Sequence, residues 1–323
     1  MRNANKRTSM YKAGMLMLTV LILFFAASVV IMLIPGIYSD DSLISLYVIN
    51  TLLVSIVSIL FPTLIFIKKF APQDFHMRRP RVSQCLLALA MGVGVFLLAA
   101  AVNSVFYELF YLTGANTDIA NTPLPQMGGV IPFLTSMLVI AVIPAISEEM
   151  LFRGALLYSW RGLGRMRSAF LTALLFGLLH MSLPSFPALF LIGFILGLLA
   201  YDARSILPGV IIHFMNNALS LSVSMLETPE AAADEHGAMV WVTIAIFLVI
   251  GAAIFIPSYI GFRKISAKAQ AKDETCENVS EIYTIQADKP IFPKAYVIVS
   301  LCVMAHMTLM NAAAMYLNMP GIL

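Results

Sequence analysis

The chain has 323 residues, 60% of them hydrophobic and only 11% charged, with a mean hydropathy of +0.90. Soluble domains carry about 25% charged residues, so the composition excludes a soluble globular protein and describes a polytopic membrane protein. A formal net charge of +3 comes with no basic domain for nucleic acid to bind, and Cys85, Cys276 and Cys302 lie in unrelated contexts that give neither a disulfide framework nor a paired-cysteine metal site.

Met1–Lys12 carries Arg2, Lys6, Arg7 and Lys12 ahead of an apolar span at about Met15–Ile34. That span exceeds the 7–15 residues of a signal-peptide core and more spans follow, so a retained anchor is expected. A second span falls at about Leu43–Ile67 and a third at about Cys85–Leu112, separated by a basic loop with Lys68, Lys69, Arg78, Arg79 and Arg81. Glu108, beside Tyr107 and Tyr111, reads as an interfacial residue in an aromatic belt. After the polar loop Gly114–Gln126 a fourth apolar run extends from near Val130 to about Tyr158, and Arg161, Arg165 and Arg167 form the next basic loop. Two short helices, roughly Ser168–Met181 and Phe186–Tyr201, are followed by a tight turn at Asp202–Ser205 and a helix at about Ile206–Met225. The loop holding Glu227, Glu230, Asp234 and Glu235 is acidic; the eighth span is expected at about Met239–Phe262 and the ninth at about Tyr296–Leu317. Between those two, Arg263–Lys289 is polar enough for a flexible linker.

Lys and Arg concentrate at the N-terminus and in every second loop, near 68–81, 161–167, 202–204 and 263–294, while loops near 35–42, 113–127 and 226–238 have essentially none. By the positive-inside rule this gives a multi-pass protein of the cell membrane with its N-terminus in the cytoplasm and its C-terminus outside. There is no internal repeat, which weakens an inverted-repeat transporter. The fold class is all-α, a polytopic transmembrane helix bundle of about nine spans.

The informative residues are those that are expensive at membrane depth. Glu148, Glu149 and Arg153 lie within the fourth span, where each charge costs roughly 2.5–3.5 kcal/mol to insert. Glu149 and Arg153, four apart on one helix face in acid-before-base order, form an expected ion pair. Glu148 projects about 100° away and is left for chemistry. Counted from the nearest basic loops at 1.5 Å per residue, Glu148 and His180 lie about 20 Å deep and His213 about 13 Å, so the three can share a layer. His213 and Asn217 project from one face, and Phe176 stands one turn before His180. Asn216 points elsewhere and suits an interhelical bond. His306 with Asn311 reads as structural, and His76 and His236 as solvated loop residues.

Glu148-Glu149-x-x-x-Arg153, Phe176-x-x-x-His180 and His213-x-x-x-Asn217, in that order, resemble the three motifs of the CPBP family, which comprises the CAAX prenyl endopeptidases and the bacteriocin-processing or Abi proteins. The resemblance covers about Val130–Met225. It implies a four-helix catalytic core at 128–226, flanked by N-terminal spans and loops at 1–127 and C-terminal spans at 227–323 with the cytoplasmic linker 263–294. It also implies an intramembrane endopeptidase acting on a membrane-associated peptide or protein, prenylated or of the leader type. By that resemblance Glu148 is expected to take a proton from water, His180 to hold that water, and His213 and Asn217 to donate to the oxyanion, with Glu149, Arg153 and Phe176 in support. No metal is favoured, because there is no HExxH. The alternative is zinc on Glu148, His180 and His213. The competing classes are a non-catalytic immunity or membrane-binding protein and a proton-coupled transporter. Asn217 argues against a proton relay, since an amide does not titrate.

Overall fold

The computed structural model describes residues 2–37, 43–70, 79–116, 129–224, 237–276 and 294–317. The expected acidic loop, His76 and His236 lie outside them. Nine helices and no strand occur among the described residues. They are α1 (Arg2–Met32), α2 (Leu43–Asn50, then Thr51–Leu60 and Phe61–Phe70), α3 (Val82–Leu112), α4 (Val130–Leu163), α5 (Arg165–Leu179), α6 (Phe186–Ala203), α7 (Leu207–Ser224), α8 (Ala238–Cys276) and α9 (Lys294–Leu317).

Seven of the nine are long and apolar enough to cross a membrane; α5 and α7 are not. The reason lies in what they carry. At 15 residues α5 is about 22 Å long, short of the roughly 30 Å hydrocarbon thickness. It therefore ends inside the bundle, at His180. α7 spends its apolarity on His213, Asn216 and Asn217. Large apolar side chains lie exposed along the helices, among them Ile22, Leu33, Leu86, Val249 and Ile256, as expected where lipid tails are the solvent.

Two apolar clusters organise the bundle. One joins α1, α2, α4, α5 and α9 through residues such as Met17, Ile59, Phe152, Phe176 and Met304. The other joins α3, α6, α7 and α8 through Met91, Leu196, Ile212 and Phe262. Helices meet closely where side chains are smallest. A Cβ on Gly193 would stand 3.1 Å from Ala173 Cα, and one on Gly197 3.1 Å from Ala169 Cα, so α5 and α6 pack by small residues one turn apart.

Three features depart from the sequence reading. First, α8 runs on to Cys276, so the first half of the segment expected to be a flexible linker is helix. Two of its polar residues, Ser266 and Gln270, are bonded to neighbouring helices. Second, Glu108 is buried at 4% exposure rather than interfacial. Third, α4 is not a uniform α-helix: π-helical stretches Met137–Val142 and Met150–Leu157 flank the Glu pair on both sides. Such widened turns recur beside functional sites. Two carbonyls of the first stretch are taken by side chains from other helices, Val139 O by Thr51 Oγ1 (2.7 Å) and Ile140 O by Asn217 Nδ2 (3.3 Å).

Candidate active site

Glu149 and Arg153 form the ion pair their spacing implies, 2.5 Å apart with neither side chain exposed. Arg153 also donates from Nη2 to the Gly193 carbonyl of α6 at 2.9 Å and lies 4.9 Å over the Phe176 ring. A guanidinium at this depth needs such partners, since its full charge has left water. Glu149 Oε1 accepts a second bond, from His213 Nδ1 at 3.3 Å. One carboxylate oxygen thus fixes both Arg153 on its own helix and His213 on α7.

Glu149 reaches α7 because residue 209 is glycine. A Cβ there would lie 2.6 Å from Glu149 Oε2, and the carboxylate is held from the other side by Arg153 and His213, so it has nowhere to retreat. Gly209→Ala is expected to cost about 1–3 kcal/mol, the usual penalty of overpacking, read as a lower unfolding temperature in detergent. An unchanged temperature would show the Glu149 carboxylate to be mobile.

His180 caps the end of α5, and its Nδ1 lies 2.8 Å from the Phe176 carbonyl. A carbonyl only accepts, so Nδ1 carries the hydrogen, and in the neutral ring Nε2 holds the lone pair. The same argument applies to His213, whose Nδ1 faces a carboxylate. Both Nε2 atoms are directed at Glu148: His213 Nε2 is 3.9 Å and His180 Nε2 4.0 Å from Glu148 Oε2. That carboxylate oxygen is buried and has no hydrogen-bond partner in the protein. Phe176, 1% exposed, touches the edge of every wall, with its ring centroid 5.0 Å from His180, 5.6 Å from His213 and 5.3 Å from Phe152.

The irregular backbone after His180 is tied down. Met181 has a left-handed φ of 53°, and its carbonyl accepts from Asn311 Nδ2 of α9 at 3.1 Å. Tyr107 of α3 lies 3.4 Å from Ser185 Oγ across the same loop. Non-helical backbone persists at membrane depth only where its polar groups are met in this way.

The structure therefore brings Glu148, His180 and His213 to one point, with Phe176, Glu149 and Arg153 around them. Asn217, one turn beyond His213, donates to Ile140 O and accepts from Asn216 Nδ2 at 3.4 Å, which leaves one amide hydrogen. Sequence reasoning missed Gly193 and Gly209. The repeated spacing of Gly193 and Gly197 against Ala169 and Ala173 was the available signal for the first; Gly209 gave none. The polar groups stand at the seam of the two apolar clusters, with α4 and α5 from one and α6 and α7 from the other.

Ligands of a tetrahedral zinc ion with bonds of 2.0–2.1 Å stand about 3.3 Å apart; Glu148 Oε2 stands 3.9 Å from His213 Nε2 and 4.0 Å from His180 Nε2.

Residues 130–219 match the family model described as type II CAAX prenyl endopeptidase Rce1-like. The match runs from the start of α4 into α7 and contains every residue of the site. No curated protein and no solved structure matches the chain.

Proposed function

We propose, from the match of residues 130–219 to the CAAX prenyl endopeptidase family model, that this chain is an intramembrane endopeptidase in which Glu148 and two histidines activate a water molecule. One observation carries the reading. A buried carboxylate oxygen without a protein partner is faced by two imidazole Nε2 acceptors at 3.9 and 4.0 Å. Three acceptors converging on one point suit a water, which donates one hydrogen to Glu148 and the other to a histidine. Its lone pair is then free to attack a scissile carbonyl as Glu148 takes the proton.

The oxyanion needs donors. Neutral His213 has its hydrogen on Nδ1, so it donates from Nε2 only once protonated, with Glu149 stabilising the imidazolium. Asn217 supplies its remaining amide hydrogen. Arg153 and Phe176 touch no reacting atom; they hold Glu149 and the two rings. The substrate is a peptide or protein held at the membrane, and the membrane lipid is the second partner.

The test is cleavage. His180→Ala and His213→Ala should each lose it while the protein still accumulates in the membrane; full activity in either overturns the water site. The same preparations decide the zinc alternative. Active protein is expected to contain far less than one zinc per chain, and Asn217→Ala to slow turnover by about 10²–10³-fold, the usual loss for one oxyanion donor. Stoichiometric zinc with a harmless Asn217→Ala would contradict this.

The orientation follows from the Lys and Arg alternation. A reporter fused after Arg167 should read cytoplasmic and one inserted at position 234 external. The reverse at both would place the opening of the site on the other face.

A further inference from the structure

A polar cavity of about 360 Å³ lies at the arginine-rich end of the bundle. Arg79 and Arg81 just before α3, Gln84 in its first turn, Asp202 at the end of α6, and Ser266, Ala269 and Gln270 in the last third of α8 line it. It shares no residue with the Glu148 site.

Its walls are fixed. Gln84 is 3% exposed; its Oε1 accepts from the Arg81 amide at 2.8 Å and its Nε2 donates to Ser266 Oγ at 2.9 Å. Gln270 Nε2 donates to the Asp202 carbonyl at 2.6 Å. Behind them α3 and α8 touch backbone to backbone: a Cβ on Gly94 would stand 2.9 Å from the Phe255 nitrogen.

Its charge is unbalanced. The Asp202 carboxylate is gripped at both oxygens by Arg165, at 2.6 Å each, and Arg263 Nε lies 3.6 Å away. The acid in the lining is thus neutralised by cations outside it. Arg79 and Arg81 are exposed and form no ion pair among the described residues. Two guanidiniums on a rigid polar cleft select an anion, and their planar donors match phosphate oxygens better than a point charge does.

Its height in the membrane names the source. Ser266 comes 28 residues after Ala238, where α8 begins, so it lies about 42 Å along the helix. A bilayer with its headgroups is about 40–45 Å thick, which sets the cavity at headgroup level. We propose that this cavity binds a phosphate-bearing anion, supplied in the membrane by the headgroup of an anionic lipid. Basic pockets between helices on the positively charged side have this use.

The experiment titrates full-length protein in detergent with short-chain phosphatidylglycerol, and in a parallel arm with glycerol phosphate, reading bound ligand by native mass spectrometry. Arg79→Gln with Arg81→Gln is expected to weaken binding roughly 30-fold, about five-fold per arginine. Both side chains are exposed, so the fold is not at risk. Ala269→Phe, which fills the cavity and leaves the arginines, should weaken it comparably. Lys68→Gln with Lys69→Gln, the same charge removed outside the cavity, should leave it unchanged. Binding of the lipid alone makes the headgroup the source; equal binding of glycerol phosphate supports the site with a soluble phosphate as its source. Equal loss in the lysine pair, no loss in the arginine pair, or no effect of Ala269→Phe would overturn the proposal.

Discussion

Glu148→Gln is expected to lower cleavage by about 10²–10⁴-fold, the range supplied by a positioned general base, while the protein reaches the membrane at its normal level. The substitution is unusually clean. Glu148 Oε2 has no hydrogen-bond partner in the protein and the side chain is 13% exposed, so an amide of the same shape breaks no contact. It removes only the basicity and the negative charge facing His180 and His213. The comparison is turnover at saturating substrate for wild type and variant. A loss of tenfold or less would mean that another group takes the proton.

Glu149→Gln should do the opposite kind of damage. Its Oε1 serves both Arg153 and His213, and the Arg153 side chain is wholly buried. Stranding one member of a buried pair costs about 3–5 kcal/mol, so the variant should unfold at a markedly lower temperature and accumulate poorly. Adding Arg153→Met should recover much of the stability, because an apolar replacement of a whole buried pair is often neutral. It should not recover cleavage, since His213 still lacks the carboxylate that orients it. If Glu149→Gln were silent in both assays, the ion pair would have no such role.

These two glutamates also show what a sequence reveals. The Glu149–Arg153 pair was legible because it is local: a spacing of four on a helix decides it. The meeting of Glu148 with His180 and His213 is not local, yet counting depth from the basic loops put the three at comparable levels. The nine helices were legible for the same reason, since apolar runs and basic loops alternate along the chain. What stayed hidden depends on a second helix. Nothing in the spacing of α4 tells that its turns widen on both sides of Glu149, or that Asn217 donates to Ile140 O in one of them. Nothing in α7 tells that Gly209 is where Glu149 presses. Glu108 looked interfacial because its neighbours are tyrosines, and it is buried because other helices cover that turn of α3. The polar run after Phe262 looked like linker because polarity, in a membrane protein, marks the end of a span and not the end of a helix.

The central claim is that Glu148 is the base of a peptidase, and the most direct test compares the peptide termini of membranes from cells carrying wild-type protein and Glu148→Gln at equal abundance. The account predicts at least one membrane-associated protein that acquires a new terminus with wild type and keeps its original one with the variant. Identical termini in the two membranes, with a phenotype that Glu148→Gln still complements, would contradict it and leave a binding protein in its place.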